Sequence, residues 1–266
     1  MLTNLLPGLR ELRAPLATGY IWLVALWFAL NGHVPSHKNS SGVALSAYQL
    51  ADAAGKPALL AALSFLAFLI GSLFQVRPDT IRSGVVRIVG HNRAQKLLRG
   101  IPTGGWDGKP PAVSQSSIAS LDTLISEMAR EADPSGWQDF MADPTRTDQV
   151  LADVTSDLRA LALRLQVDKP DLFQDYDRKA SEADFRVNVG LAIGALATAL
   201  TIAAGNGWLA AGFLITLAML RSGIYRQQIA NDLLIETLTS RVVTCQALNK
   251  LDQNLRIRNN PRSQLP

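Results

Sequence analysis

Apolar residues in this chain come in long blocks, and the charges are gathered between them. Four blocks lack Asp, Glu, Lys, Arg and His: Leu16 to Asn31, Pro57 to Phe74, Val187 to Ala204 and Trp208 to Leu220. A run of roughly 17–25 apolar residues crosses the bilayer core as a helix. The pattern therefore predicts an all-α integral membrane protein with four transmembrane helices. The first and last blocks are short, and Ala14, Ser222 and Ile224 lengthen them. Pro15 suits the first position of the first helix. Gly205-Asn206-Gly207 predicts a tight antiparallel hairpin between the third and fourth spans.

Between the hairpins the period changes to that of helices with one apolar face. Ile118, Leu121, Leu124, Ile125 and Met128 form one stripe on a helix over Ser114 to Glu131. Val150, Leu151, Val154, Leu158, Leu161 and Leu165 form another over Thr147 to Val167. Asp133-Pro134 and Asp143-Pro144 bound a short piece holding Trp137 and Phe140. A third helix starts near Pro170 and runs into the third span. Its charges are spaced for i,i+4 pairing, with Arg178, Glu182 and Arg186 on one juxtamembrane stripe and Asp171, Asp175 and Lys179 on another. The tail from Arg221 to Arg258 has no proline, and Leu234, Leu238, Cys245, Leu248 and Leu255 fall on a heptad seam. It predicts one long helix, either in a coiled coil or packed on the chain's own helices. The organisation is thus 1–76 with the first hairpin, 77–186 as a helical cytoplasmic segment, 187–224 as the second hairpin and 225–266 as a cytoplasmic C-terminal helix and tail.

Charge sets the orientation. Arg77, Arg82, Arg87, Arg93, Lys96 and Arg99 face a single acid, Asp79, just after the second span. Arg178, Lys179 and Arg186 precede the third span, Arg221 and Arg226 follow the fourth, and Arg10 and Arg13 precede the first. Only Lys38 and Lys56 lie between the first two spans. The positive-inside rule places both termini and 77–186 in the cytoplasm, in the plasma membrane, with 32–56 and the Gly-Asn-Gly turn outside. A cleavable signal peptide is the rival reading of the first span. It lacks a good small-x-small site there, and Trp22 and Trp27 are bulky for one. The stretch Thr80 to Arg99 also carries Ile81, Val85, Ile88 and Val89 on a helical stripe. Arg82, Arg87, Arg93 and Lys96 there are candidates for contact with anionic lipid.

Candidate chemistry is sparse. The chain has 266 residues, a net charge of +4 and one cysteine, Cys245, so it holds no internal disulfide and no cysteine-based zinc site. Gly104-Gly105-Trp106-Asp107-Gly108-Lys109 fails as a phosphate loop, because Thr103 and Pro110 occupy required positions; it reads as part of a Gly/Pro-rich linker, 100–113. Asp153 with Asp157, and Asp171 with Asp175, have the four-residue spacing of a metal-binding pair on one helix face. They lack the longer patterns of lipid-head transferases and read as solvated acidic faces. His33 and His37 have only Asp52 near them in sequence as a further ligand. Nucleophilic hydrolysis has no His-Ser-Asp or Cys-His set within one compartment. Asn39-Ser40-Ser41 matches a glycosylation acceptor.

The spans carry no charge, which argues against ion-coupled transport. The third span has Gly190, Gly194 and Thr198 at four-residue spacing. Such small residues let helices approach closely, with Ala211, Gly212 and Thr216 of the fourth span or a second copy as the partner. Tyr176-Asp177-Arg178 with Glu182-Ala183-Asp184-Phe185-Arg186, and Leu12-Arg13-Ala14-Pro15 entering a Trp-rich span, resemble stretches of uncharacterised actinobacterial four-span membrane proteins. That resemblance implies the membrane topology and no activity. The reading is a non-enzymatic polytopic membrane protein, homo-oligomeric, with a cytoplasmic helical interaction or sensing module and no cofactor, metal or nucleic-acid partner. The alternative is an oligomeric ion channel or membrane-perturbing effector, its pore lined by Asn188, Thr198, Thr201 and Thr216. A third reading is an enzyme acting on lipid heads through the aspartate pairs.

Overall fold

Leu6–Ala29 forms α1, a helix whose apolar residues run around its whole circumference from Leu16 onward. Pro15 lies inside this helix and not at its start, which corrects the sequence expectation. An interior proline removes a backbone hydrogen bond to the preceding turn. One turn further on, the Thr18 hydroxyl donates to the Ala14 carbonyl at 2.8 Å.

The computed structural model describes residues 6–30, 41–89, 113–134 and 136–259. Among these, every regular element is helical. The next element, α2, spans Val43–Leu73 and breaks at Gly55, whose φ of +79° only glycine adopts without strain. Pro57 thus stands at the start of the apolar half. The following helices are α3 (Pro78–Val89), α4 (Gln115–Ala132), α5 (Trp137–Ala142), α6 (Pro144–Ser156), α7 (Leu158–Asp168), α8 (Pro170–Ala204), α9 (Gly212–Thr239) and α10 (Gln246–Asn259). A 3-10 turn, Gly207–Ala211, leads from the Gly205 bend into α9.

Four stretches are long and apolar enough to cross a membrane: Leu12–Ala29, Gly55–Leu73, and parts of Pro170–Ala204 and Gly207–Thr239. The chain divides into two compact units. One comprises Met1–Pro78 with Asp184–Gly223, and the other Asp79–Ala183 with Ile224–Pro266. The first exposes large apolar side chains in quantity, among them Leu60, Phe65, Leu73, Ile202 and Leu214, with Leu73 82% exposed. Soluble monomers rarely show an apolar patch of that extent.

The second unit closes a core of its own. Leu121, Leu124 and Ile125 of α4, Val154 of α6, Leu161 and Leu165 of α7, Leu234 and Leu238 of α9, and Leu248 and Leu255 of α10 are buried together. Ser114 caps α4 by accepting the Ser117 amide at 3.2 Å. Asp232 of α9 accepts both the Ser114 amide and the Ser117 hydroxyl at 2.8 Å. A carboxylate at a helix N-terminus is favoured by the unpaired amides and the helix dipole.

Two helices expected to be continuous are interrupted. The expected helix from Thr147 to Val167 breaks at Asp157, whose backbone (φ −89°, ψ 1°) leaves the helical region and separates α6 from α7. The expected helix from Arg221 to Arg258 stops at Thr239. There the Val242 amide bonds the Thr237 carbonyl at 3.1 Å and the Arg241 amide bonds that of Leu238 at 3.0 Å. This is a Schellman closure, with Arg241 at φ +55° in the place usually taken by glycine. The guanidinium of Arg241 reaches Glu131 at 3.2 Å and Glu127 at 3.9 Å. The turn allows α10 to pack against α4 and α6, so the heptad leucines serve an intrachain core.

Candidate functional site

In the apolar unit the closest contacts run backbone to backbone. A methyl group built on Gly19 of α1 would overlap the Ala67 carbonyl of α2, and one on Gly71 would overlap the Pro15 carbonyl. The Gly19 and Gly71 Cα–H groups therefore face each other's helix, an approach that suits weak Cα–H···O contacts. Trp22 stacks on Phe74 one turn away, with ring centroids 4.7 Å apart.

The third and fourth apolar stretches meet in the same manner but less tightly. A Cβ on Gly190 would lie 3.0 Å from Met219 Cβ, one on Gly194 3.2 Å from Thr216 Cγ2 and Oγ1, and one on Gly212 2.6 Å from Ala197 Cβ. Gly190, Gly194 and Gly212 thus lie at an intrachain contact. Thr198 is exposed, and its hydroxyl donates to the Gly194 carbonyl at 2.9 Å. Gly194→Leu is expected to cost about 1–3 kcal/mol, the usual range for overpacking. Ile202→Ala, at a 78% exposed position, is expected to cost little. Heating both variants in detergent before size-exclusion chromatography checks this; equal survival would show that Thr216 yields without cost.

Asn188 of α8 joins the unit's two halves. Its Oδ1 accepts the Val76 amide at 2.7 Å, and its Nδ2 donates to the Val76 carbonyl at 3.1 Å and the Asp184 carbonyl at 2.8 Å. Val76 lies just past the end of α2, where backbone groups have lost their helical partners. One buried amide side chain supplies both. Asn188 is 4% exposed, and its amide is engaged within the chain. Thr201 and Thr216 bond the Ala197 and Gly212 carbonyls at 2.7 and 3.1 Å. Nearby, the Arg186 guanidinium donates to the Ser222 hydroxyl, and Arg13 stands 5.5 Å over the Phe185 ring.

The charged stripe has partners beyond its own three residues. Arg178 pairs with Asp175 at 3.4 Å, both well exposed. Glu182 reaches Arg226 of α9 at 3.7 Å. Half-exposed pairs of this kind contribute under about 1 kcal/mol. Asp157 does not share a helix with Asp153; its carboxylate accepts the Cys245 thiol at 3.3 Å. Burial pushes that thiol above its usual range. The Ala247 and Leu248 amides pull it back, and the Asp157 carboxylate adds to the rise. Such a thiol stays protonated and unreactive at neutral pH. Among the described residues, no three His, Cys, Asp or Glu side chains gather to hold a metal. His33, His37, His91, Asn39, Arg93, Lys96 and residues 100–112 lie outside the described residues.

The sequence reading missed Gly19, Gly71 and the Asn188 clamp. The second helix had a signal: Ala67 and Gly71 are small residues four apart. The clamp had none, because Val76 and Asn188 are far apart in sequence. Compared with known proteins, the chain matches no protein family, no curated protein and no solved structure.

Proposed function

We propose that this is a non-enzymatic multi-pass membrane protein whose second unit is a cytoplasmic interaction or sensing module. The observation that carries the reading is the contrast between the two units. One exposes Leu60, Phe65, Leu73, Ile202 and Leu214 on helices long enough to span a bilayer, and the other buries its leucines in a closed helical core. Lipid satisfies the first surface and water the second. The non-enzymatic part is supported by the dispersal of the acidic pairs: Asp157 is engaged with Cys245, and Asp175 with Arg178. The charge distribution around the spans supports the cytoplasmic side for the module. Self-association belongs to the same proposal. It would use faces other than the Gly190–Gly194 stripe, which Met219 and Thr216 occupy.

The test is sided labelling of intact cells. In a Cys245→Ser background, cysteines at Ser41 and Asn206 are expected to react with an impermeant thiol reagent. Cysteines at Ser116 and Lys250, both exposed in the second unit, are expected to react only after the membrane is opened. Labelling of Ser116 in intact cells would place the module on the other side and end the proposal.

A further inference from the structure

The chain leaves its second apolar stretch through a short non-helical link and at once begins another helix, α3. Val76 in that link is held by Asn188, two residues beyond Arg186, so the exit point sits at the charged edge of the third stretch. Helix α3 therefore starts where the headgroups of a bilayer would lie. Its residue positions divide by face. At 3.6 residues per turn, Ile81, Val85, Ile88 and Val89 share one side, Arg82 and then Val86 fall at one border, and Asp79, Thr80, Ser83 and Arg87 occupy the other. Thr80, Ser83 and Arg87 are exposed, and the Ser83 hydroxyl turns back onto the Thr80 carbonyl at 2.9 Å.

This is the composition of a helix that lies in an interface, with its apolar side among acyl chains and basic groups at the border between lipid and water. Charge favours an anionic surface as the occupant. The stretch from Arg77 to Arg99 has six basic residues and one acid, whereas residues 114–183 carry fourteen acids and seven bases. The helices within 114–183 are repelled by the surface that attracts α3. We propose that α3 is an anionic-lipid-binding helix, seated on negatively charged headgroups beside the end of the second span. The proposal rests on the membrane reading above and specifies which element meets the lipid.

The full-length protein tests it, in a Cys245→Ser background with single cysteines at Ile88, Ser83 or, as a control within the span, Leu66. Each carries an environment-sensitive fluorophore. The variants are reconstituted in phosphatidylcholine vesicles with or without phosphatidylglycerol, with acyl chains brominated to quench. Ile88 is expected to be quenched by the brominated chains in anionic vesicles, and Ser83 much less. Replacing Arg82 and Arg87 together by alanine should lower the Ile88 quenching, each arginine shifting the docked-to-lifted ratio about fivefold. Ile88 shielded from both brominated lipid and aqueous iodide would mean that α3 packs on protein, the acidic helices foremost, and would overturn the proposal. Quenching of Ile88 indifferent to phosphatidylglycerol would overturn the anionic part. Failure of Leu66 to be quenched in any vesicle would instead refute the membrane reading.

Discussion

Gly19→Ala is expected to separate α1 from α2 and to lower the thermal midpoint in detergent by roughly 10 °C, the equivalent of about 3 kcal/mol. The added methyl would meet the Ala67 carbonyl, a backbone group that no rotamer change can move aside. Only displacement of one helix relieves the overlap, and that also opens the Gly71–Pro15 contact and the Trp22–Phe74 stack. Inside lipid no hydrophobic force returns the helices, so close packing supplies most of their attraction. Gly71→Ala should behave like Gly19→Ala. Gly84→Ala is the control: nothing lies within 4 Å of its Cβ, and alanine favours a helix by up to about 1 kcal/mol. Heat-challenged size-exclusion profiles of the three variants settle the matter. A Gly19→Ala protein as stable as its parent would show that the helices have room to part.

Asn188→Leu is the second large effect. It strips the Val76 amide and carbonyl of their side-chain partner at once. A buried backbone group left unsatisfied costs about 1–3 kcal/mol. Val76 is half-buried, so the loss of two predicts the lower part of the summed range, about 2–4 kcal/mol of destabilisation and a midpoint lowered by roughly 5–10 °C. Asn188→Asp should lie between leucine and wild type, since a carboxylate accepts the amide but repels the carbonyl. Val76→Ala leaves both backbone groups in place and should cost little. If Asn188→Leu and Val76→Ala fall together, the clamp contributes packing rather than hydrogen bonds.

The all-helical class and the four long apolar stretches were legible in the sequence, because they follow from local properties. An uncharged apolar run excludes a solvated surface wherever it sits, and a 3.6-residue stripe such as Leu121, Leu124, Ile125 marks a buried helix face. The helix starting at Pro170 and running into the third stretch was legible for the same reason, since no Gly or Pro interrupts it before Gly190. The start of the second apolar stretch at Pro57 was legible too, although the fold alone showed the break at Gly55 and helix from Val43 onward.

What tertiary structure decided is where helices stop without such punctuation and which distant groups meet. No glycine or proline stands at Asp157 or Arg241, yet both end helices. The cost of those breaks is offset elsewhere: by Asp157 on the Cys245 thiol, by Arg241 on Glu127 and Glu131, and by the core that α10 completes with Leu248 and Leu255. The heptad seam showed that Leu234, Leu238, Leu248 and Leu255 would be buried, but periodicity carries no information about the partner. Likewise Asn188 read as a polar residue in an apolar span, free to face a pore. Its amide serves the backbone of Val76 because the fold brings an unsatisfied helix end beside it, and a buried hydrogen-bond demand is visible only once the two segments share a place in space.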